Sequence, residues 1–229
     1  MTMHDNDTTP IMAARWWRHR LQGTGLSWLQ DTRYSLIDHN LICAFVERRH
    51  KDTSSFHLPF EEMTVTLDDV SYLLHLPIDG MLLSHSPIIR DDAVEWMVEH
   101  LGSNPGQALV EVTQTKGAHC RFNYLRRISN ERMLEQLALE TEYGVTPEVR
   151  RLRDHDVRIY FLYLVGIKLF TDKSTTDVDV VYLRYFRNLD LVVGYSWGAA
   201  TLAHMYTELN KVARWNCGQV SGYLTLLQV

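Results

Sequence analysis

A chain of 229 residues, 45% apolar and 22% charged, has the make-up of an ordinary folded domain and is long enough to bury about 70% of its unfolded surface. Its net charge of −5 argues against a dedicated nucleic-acid binder, whose affinity comes from neutralising phosphates. Three widely spaced cysteines, Cys43, Cys120 and Cys217, form no CxxC; they give neither a disulfide framework nor a structural zinc site, and suggest a reducing compartment.

Met1 to Asp7 are polar and acidic where a secretory leader would be basic and then apolar. Residues 1–22 are expected to form a partly disordered N-terminal segment ahead of one domain over 23–229. Within that segment Arg15, Trp16, Trp17, Arg18, His19 and Arg20 bring cations and indoles together. Gly23-Thr24-Gly25 has no preceding strand and no third glycine, so it reads as a turn rather than a dinucleotide fingerprint.

Ser35 and Asp38 form a capping pattern ahead of a helix with Ile37, Leu41, Ile42, Phe45 and Val46 on one face, fading in the polar residues 47–52. Alternation in Phe56-His57-Leu58 and again in Met63-Thr64-Val65-Thr66 predicts a small hairpin. Thr66 then caps a helix with Asp69 at N3; Leu67, Val70, Leu73 and Leu74 turn inward, Pro77 stops it, and Asp79-Gly80 makes a turn.

Asp91 is the expected cap of the next helix, with Val94, Met97, Val98 and Leu101 at helical spacing and Gly102 at its left-handed end. Residues 102–119, with Gly102, Pro105, Gly106 and Gly117, read as a mobile connection. A helix over 123–142 should bury Leu125, Ile128, Met133, Leu134 and Leu137. Thr146-Pro147 begins the longest helix, expected to reach Phe170; its apolar end is too short for a membrane span, which needs roughly twenty residues. Helices over 180–189 and 197–212 and from Val220 complete a mainly α, single-domain bundle: about eight helices around one core, with one small β-hairpin near 56–66.

Gly194, Ser196 and Gly198 spell the G-x-S-x-G elbow of serine hydrolases, with Leu191-Val192-Val193 as its possible strand. The elbow's base and acid follow it along the chain. After Ser196 come only His204 and Glu208, and His204 lies eight residues on, about 12 Å along the same helix, out of reach. Ser196 is therefore expected to be an N-cap, with Gly198, Ala199 and Ala200 allowing a close helix approach and Trp197 serving as an anchor.

Asp68-Asp69 and Asp91-Asp92 sit in first turns, where carboxylates favour the helix dipole, and Asp154-His155-Asp156 makes no recognised acid–base motif. Eleven histidines include no HExxH, so no metal or other cofactor is expected. Lys168, in its apolar helix, reads as a snorkelling side chain.

Phe56-His57-Leu58-Pro59, the run from Met63 through Thr66, Asp68 and Asp69 to Val70, and Leu76-Pro77-Ile78-Asp79-Gly80 together resemble the signature of the plant mobile domain. The likeness continues in Tyr163-Leu164-Val165-Gly166, Leu169-Phe170, Asp172-Lys173-Ser174, Tyr195-Ser196-Trp197-Gly198-Ala199-Ala200, Met205-Tyr206 and Gly222 to Gln228, covering residues 23–229 in order.

The resemblance implies a nuclear, non-catalytic protein-interaction module acting in transposon silencing, gene expression and meristem maintenance. Its implied partners are a related domain or a phosphatase 7-like protein, and no membrane. It marks Phe56, His57, Leu58, Pro59, Thr66, Asp68, Asp69, Pro77, Gly80, Gly166, Tyr195, Ser196, Trp197 and Gly198 as structural or interaction residues. Two departures stand out. Glu61 replaces the family's usual glycine in the hairpin turn, implying a different turn. The family also continues beyond Leu226-Leu227-Gln228, implying a C-terminally truncated domain whose last helix exposes apolar surface unless covered. The rival reading is a chromatin module in which Arg15, Trp16, Trp17, Arg18 and Arg20, or Arg150, Arg151 and Arg153, contact nucleic acid by phosphate neutralisation and base stacking.

Overall fold

Helix Pro147–Leu164 (α7 below) carries apolar residues in two stripes, and this organises the molecule. Val157, Phe161 and Leu164 face one buried cluster, while Ile159 and Leu162 face another. A helix apolar on two sides must lie between two layers, so where the sequence suggested one core, the side chains sort into two with this helix between them.

The computed structural model describes residues 15–30, 38–171, 176–212 and 221–228. Its helices in chain order are α1 (Arg15–Gln22), α2 (His39–Glu47), α3 (Leu67–Leu74), α4 (Arg90–Leu101), α5 (Pro105–Gln114), α6 (Phe122–Tyr143), α7 (Pro147–Leu164) and α8 (Trp197–Val212). The strands are β1 (Arg49–His50), β2 (Ser55–His57), β3 (Glu62–Met63), β4 (His119–Arg121) and β5 (Asp177–Asp179). Mainly α is thus the observed class.

The larger cluster joins α1, α2, α3, α7 and α8, with Trp17, Leu21, Ile42, Val70, Phe161, Phe186, Trp197 and Met205 buried in it. The smaller joins α4, α5, α6 and the opposite side of α7 through Met97, Leu101, Val112, Leu125, Ile128 and Leu162. Each such side chain contributes roughly 1.5–3 kcal/mol through removal from water.

Local signals hold where they are self-contained. Thr66 and Asp69 form a reciprocal capping box on α3, Thr146 caps α7 with Pro147 in its first turn, and Gly102 ends α4 at φ 64°. Asp38, which the Ser35–Asp38 pattern placed within the first turn, is itself the cap of α2 and accepts from the amides of Asn40 and Leu41; Ser35 and Ile37 lie outside the described residues.

Other expectations change. α4 begins at Arg90 with Ile89 at the cap position, so Asp91 and Asp92 occupy the first turn instead. α3 ends at Leu74 because His75 turns left-handed (φ 51°), before Pro77 is reached. Leu134 and Leu137 of α6 point outward, and Leu67 is exposed. α7 stops at Leu164 and passes into a wider π-turn, Val165–Leu169, where Lys168 donates to the Leu29 carbonyl. A Cβ on Gly166 would lie 2.7 Å from Cβ of Val178, so a side chain there would drive β5 away.

The segment expected as a mobile connection contains α5, capped by Asn104 and started by Pro105. It is fastened by buried Glu111, which accepts from the Arg121 amide and side chain at 2.6–2.8 Å. Residues 180–189 form a 3₁₀ turn, Val180–Tyr185, and a second one runs from Leu189 to Gly194. The hairpin is the β2–β3 pair of a three-stranded antiparallel sheet, β1–β2–β3, and β4 pairs with β5 in a second sheet.

The C-terminal turn, Leu224–Leu227, does not expose apolar surface: Tyr223, Leu224, Leu226 and Leu227 are buried in the larger cluster, and Gly222 N–H bonds to Thr171. Cys43 is disulfide-bonded, which removes the argument for a reducing compartment drawn from the cysteines. Cys120 is a buried free thiol whose pKa burial pushes well up. Among the described residues no helix is long and apolar enough to cross a membrane, and no group of His, Cys, Asp and Glu could hold a metal ion.

Candidate functional site

Two of the motifs singled out in the sequence, Leu76 to Gly80 and Gly194 to Gly198, are joined edge to edge. Met81 N–H donates to Gly194 O at 2.8 Å, Ser196 N–H to Met81 O at 2.9 Å and Gly198 N–H to Pro77 O at 2.8 Å. The Ser196 hydroxyl donates to the Ile78 carbonyl. Carbonyls of the 77–81 segment thus serve amides at the start of α8 that no residue within the helix can reach.

The glycines make this approach possible. Gly80 sits at φ 116°, and a Cβ there would lie 2.4 Å from Gly194 O. A Cβ on Gly198 would lie 2.8 Å from Ile78 Cγ2 and 3.1 Å from Val70 Cγ1. Gly25, at φ 73°, brings the N-terminal segment against Pro77.

This corrects the expected role of Ser196. Its hydroxyl is a donor across the seam and not a side-chain acceptor for its own helix. Nor is the preceding segment the strand of an elbow, since Leu189–Gly194 is a 3₁₀ turn. His204 is committed elsewhere, with Nε2 2.9 Å from Thr171 O and its ring against Phe170. Glu208 is buried and pairs with Lys211.

Behind the seam Trp197 is fully buried, stacks on Phe186 at 5.4 Å and 4°, and donates from Nε1 to Val192 O at 2.8 Å. Tyr185 and Tyr195 meet its ring edge-on. Around the seam the surface stays apolar: Trp28, Met81, Leu82, Leu191 and Val193 are exposed, Leu82 at 74%. Trp28 lies 4.6 Å from the His75 ring at the end of α3.

The first motif works as a separate clamp. Phe56 is buried edge-on to Phe45, Leu58 N–H closes the turn onto Glu61 O at 3.0 Å, and His57 and Pro59 are exposed. Glu61 is not among the described residues with positive φ, so the turn accommodates it without left-handed backbone. Asp69 is held below the usual carboxylate range by the Thr66 amide and hydroxyl, whereas Asp68 remains on the exposed first turn.

Arg49, unremarked in the sequence, is the keystone here. It is buried with its guanidinium between the rings of Phe56 and Tyr206 at 5.0 and 4.6 Å, and it bonds Asn210 and Ser54 O. Burial lowers its pKa. In the sequence it looked like one of several polar residues ending a helix, with no local sign of burial.

Comparison with known proteins gives this pattern a home. The plant mobile domain model matches residues 26–229. The chain belongs to the plant mobile domain family. Among curated relatives, all from Arabidopsis thaliana, it is similar to Protein MAIN-LIKE 1, with 34% identity over 84% of this chain and 35% of that protein. It is also 34% identical to Serine/threonine-protein phosphatase 7 long form homolog over 90% of this chain and 14% of that protein, and 29% identical to Protein MAINTENANCE OF MERISTEMS over 91% and 40%. The chain therefore spans well under half the length of each of these relatives. No solved structure matches the chain.

In this plant mobile domain the arginine and tryptophan cluster is largely spent on structure. Trp17 is buried and cannot stack on a base, and Trp16 lies under the Arg153 guanidinium at 4.6 Å. Arg153 also pairs with Glu140 at 2.7 Å, and Arg20 bridges Asp190 and Asp154 at 2.7 and 3.2 Å. Arg18 is exposed, and the side chain of Arg15 lies outside the described residues.

Arg150 and Arg151 are exposed on α7, where they line a cleft of about 470 Å³ together with His100 and His155. Burial, reinforced by Arg158, Arg151 and Arg132, pushes His155 down to about 4, so it is neutral at physiological pH. Its neighbour Asp156 is buried with neither carboxylate oxygen bonded, and burial pushes it up to about 7.

Proposed function

We propose that this plant mobile domain is a nuclear, non-catalytic protein-interaction module. In this reading it serves transposon silencing, gene expression and meristem maintenance by joining a second plant mobile domain or a phosphatase 7-like protein. The observation that carries the reading is the apolar rim around the seam. Family-motif residues and Met81 build a hydrogen-bonded backbone junction, and Met81, Leu82, Leu191, Val193 and Trp28 stand exposed around it. Clustered exposed apolar side chains on a folded domain suit burial against another protein. The names of the relatives, which point to meristem maintenance and to a phosphatase 7 long form, supply the biological setting.

The test is affinity capture from plant nuclei with the wild-type chain and a Leu82→Asp/Leu191→Asp variant. The wild type should retain a protein carrying a plant mobile domain or a phosphatase 7-like sequence, and the variant should lose it with an unchanged melting temperature. Retention by both, or by neither, counts against the rim.

A further inference from the structure

The cleft lined by Arg150, Arg151, Arg158, Arg187, His100 and His155 lies where the end of α4 meets the first half of α7 and the turn at Arg187. Its lining holds four arginines against two carboxylates, Glu99 and Asp154, and Asp154 is already engaged by Arg20. A local excess of two positive charges in a chain of net charge −5 calls for a cause. Arg151 pairs with Glu148 outside the lining, and Arg158 is fixed by the carbonyls of Phe186 and Arg187 at 3.0 and 3.1 Å. Among the described residues no carboxylate forms an ion pair with Arg150 or Arg187; Arg187 is held instead over the Trp96 ring at 4.2 Å.

The wall between these arginines is built rather than incidental. His100 and His155 are 7% and 4% exposed, and His100 Nε2 lies 3.8 Å from a Glu99 carboxylate oxygen, too far for a hydrogen bond, with no other partner among the described residues. The His155 ring occupies space that exists because residue 102 is glycine: a Cβ there would lie 2.5 Å from its Nδ1. Buried polar side chains are ordinarily bonded, so an orphan nitrogen in the wall of a cationic cleft points to a missing hydrogen-bond partner, which an acceptor oxygen supplies when the nitrogen carries the proton.

We infer that this cleft binds a phosphate monoester, its terminal oxygens taken by Arg150 and Arg187 at the mouth and by Arg158 and the histidine edges within. Arg150 and Arg187, the two arginines of the lining without a carboxylate or carbonyl partner among the described residues, match a dianion, and guanidinium forks match a group presenting three acceptor oxygens. The shape favours a terminal group over a duplex backbone, because the arginines of α7 and Arg187 of the facing turn border a concavity closed on the α4 side by His100. His155 is neutral there, so it offers one N–H without adding to the repulsion among the arginines.

The test is ¹⁵N-resolved NMR titration of the intact chain with inorganic phosphate, O-phosphoserine, a nucleoside 5′-monophosphate, and a phosphoserine peptide beside its unphosphorylated twin. Saturable shifts are expected at the end of α4, the start of α7 and Arg187. Arg150→Ser/Arg187→Ser should weaken binding tenfold or more, as expected for losing charge-assisted hydrogen bonds. Both side chains are exposed, so the fold should survive, and Arg126→Ser on α6 should leave binding unchanged. Preference for the peptide or for the nucleotide identifies the source of the monoester. Absence of shifts at about 10 mM of every monoester, shifts unaltered in the double variant, or binding only to an oligonucleotide would overturn the assignment.

Discussion

The hydroxyl of Ser196 donates to the carbonyl of Ile78, 118 residues earlier in the chain. That one contact turns a sequence that imitates a hydrolase elbow into part of a structural seam. Ser196→Ala should cost about 1–2 kcal/mol, the worth of a partly buried hydrogen bond whose acceptor is left without its donor. Chemical denaturation should show a lower midpoint with an unchanged slope. A variant as stable as the wild type would mean that the bond contributes nothing.

The seam's glycines should be less forgiving than its serine. Gly80→Ala combines a φ of 116° with a Cβ 2.4 Å from Gly194 O, and backbone cannot yield as a side chain can. A loss of at least about 2 kcal/mol is expected, together with faster hydrogen exchange at the Met81 and Ser196 amides. Gly198→Ala, whose new methyl meets the ends of Ile78 and Val70 and lies 3.1 Å from the Pro77 carbonyl oxygen, should cost about 1–3 kcal/mol. A smaller loss at Gly80 than at Gly198 would contradict the geometry.

Which features could be read in advance follows from how far apart their causes lie. The Thr66–Asp69 box, Gly102 after α4 and Thr146-Pro147 before α7 each act within a few residues, and the sequence displays them openly. The α5 signal was also local, Asn104 capping ahead of Pro105, but Gly102, Pro105 and Gly106 in succession read as breakers and masked it. β4 and β5 are three residues each and meet across more than fifty residues, too short for any period to show. Burial of Arg49 depends on Phe56, Tyr206 and Asn210 closing from separate elements, and the partners of Ser196 come from a segment more than a hundred residues earlier in the chain. Residue identity marked the motifs; only the packing shows that two of them are one junction.

Glu111 offers a test of whether α5 is fastened or merely resting. It is 2% exposed and takes three hydrogen bonds from Arg121. Arg121→Ala strips away the guanidinium and leaves a buried carboxylate, so a loss of about 3–5 kcal/mol is expected. Adding Glu111→Leu should restore much of it by removing the stranded charge. A double-mutant cycle with no coupling would show that the pair does not hold α5 to β4.

His155 and Asp156 make a prediction about pH that neither makes alone. Burial leads both shifts, but in opposite directions: His155 falls from 6.5 to about 4 and Asp156 rises from 3.8 to about 7. For His155 the unfolded chain takes up a proton near 6.5 while the folded chain refuses it until about 4, so stability is lost as pH falls through that window. For Asp156 the folded chain keeps a proton up to about 7 that the unfolded chain releases near 3.8, so stability is lost as pH rises. Between about 4 and 6.5 the two slopes, each about 1.4 kcal/mol per pH unit, oppose and largely cancel. Asp156→Asn should therefore unmask a stability that climbs with pH across this window, and His155→Gln one that declines. Measuring unfolding free energy of wild type and both variants at several pH values isolates each residue as a difference. Parallel curves for all three would show that neither residue is held in the state its burial demands.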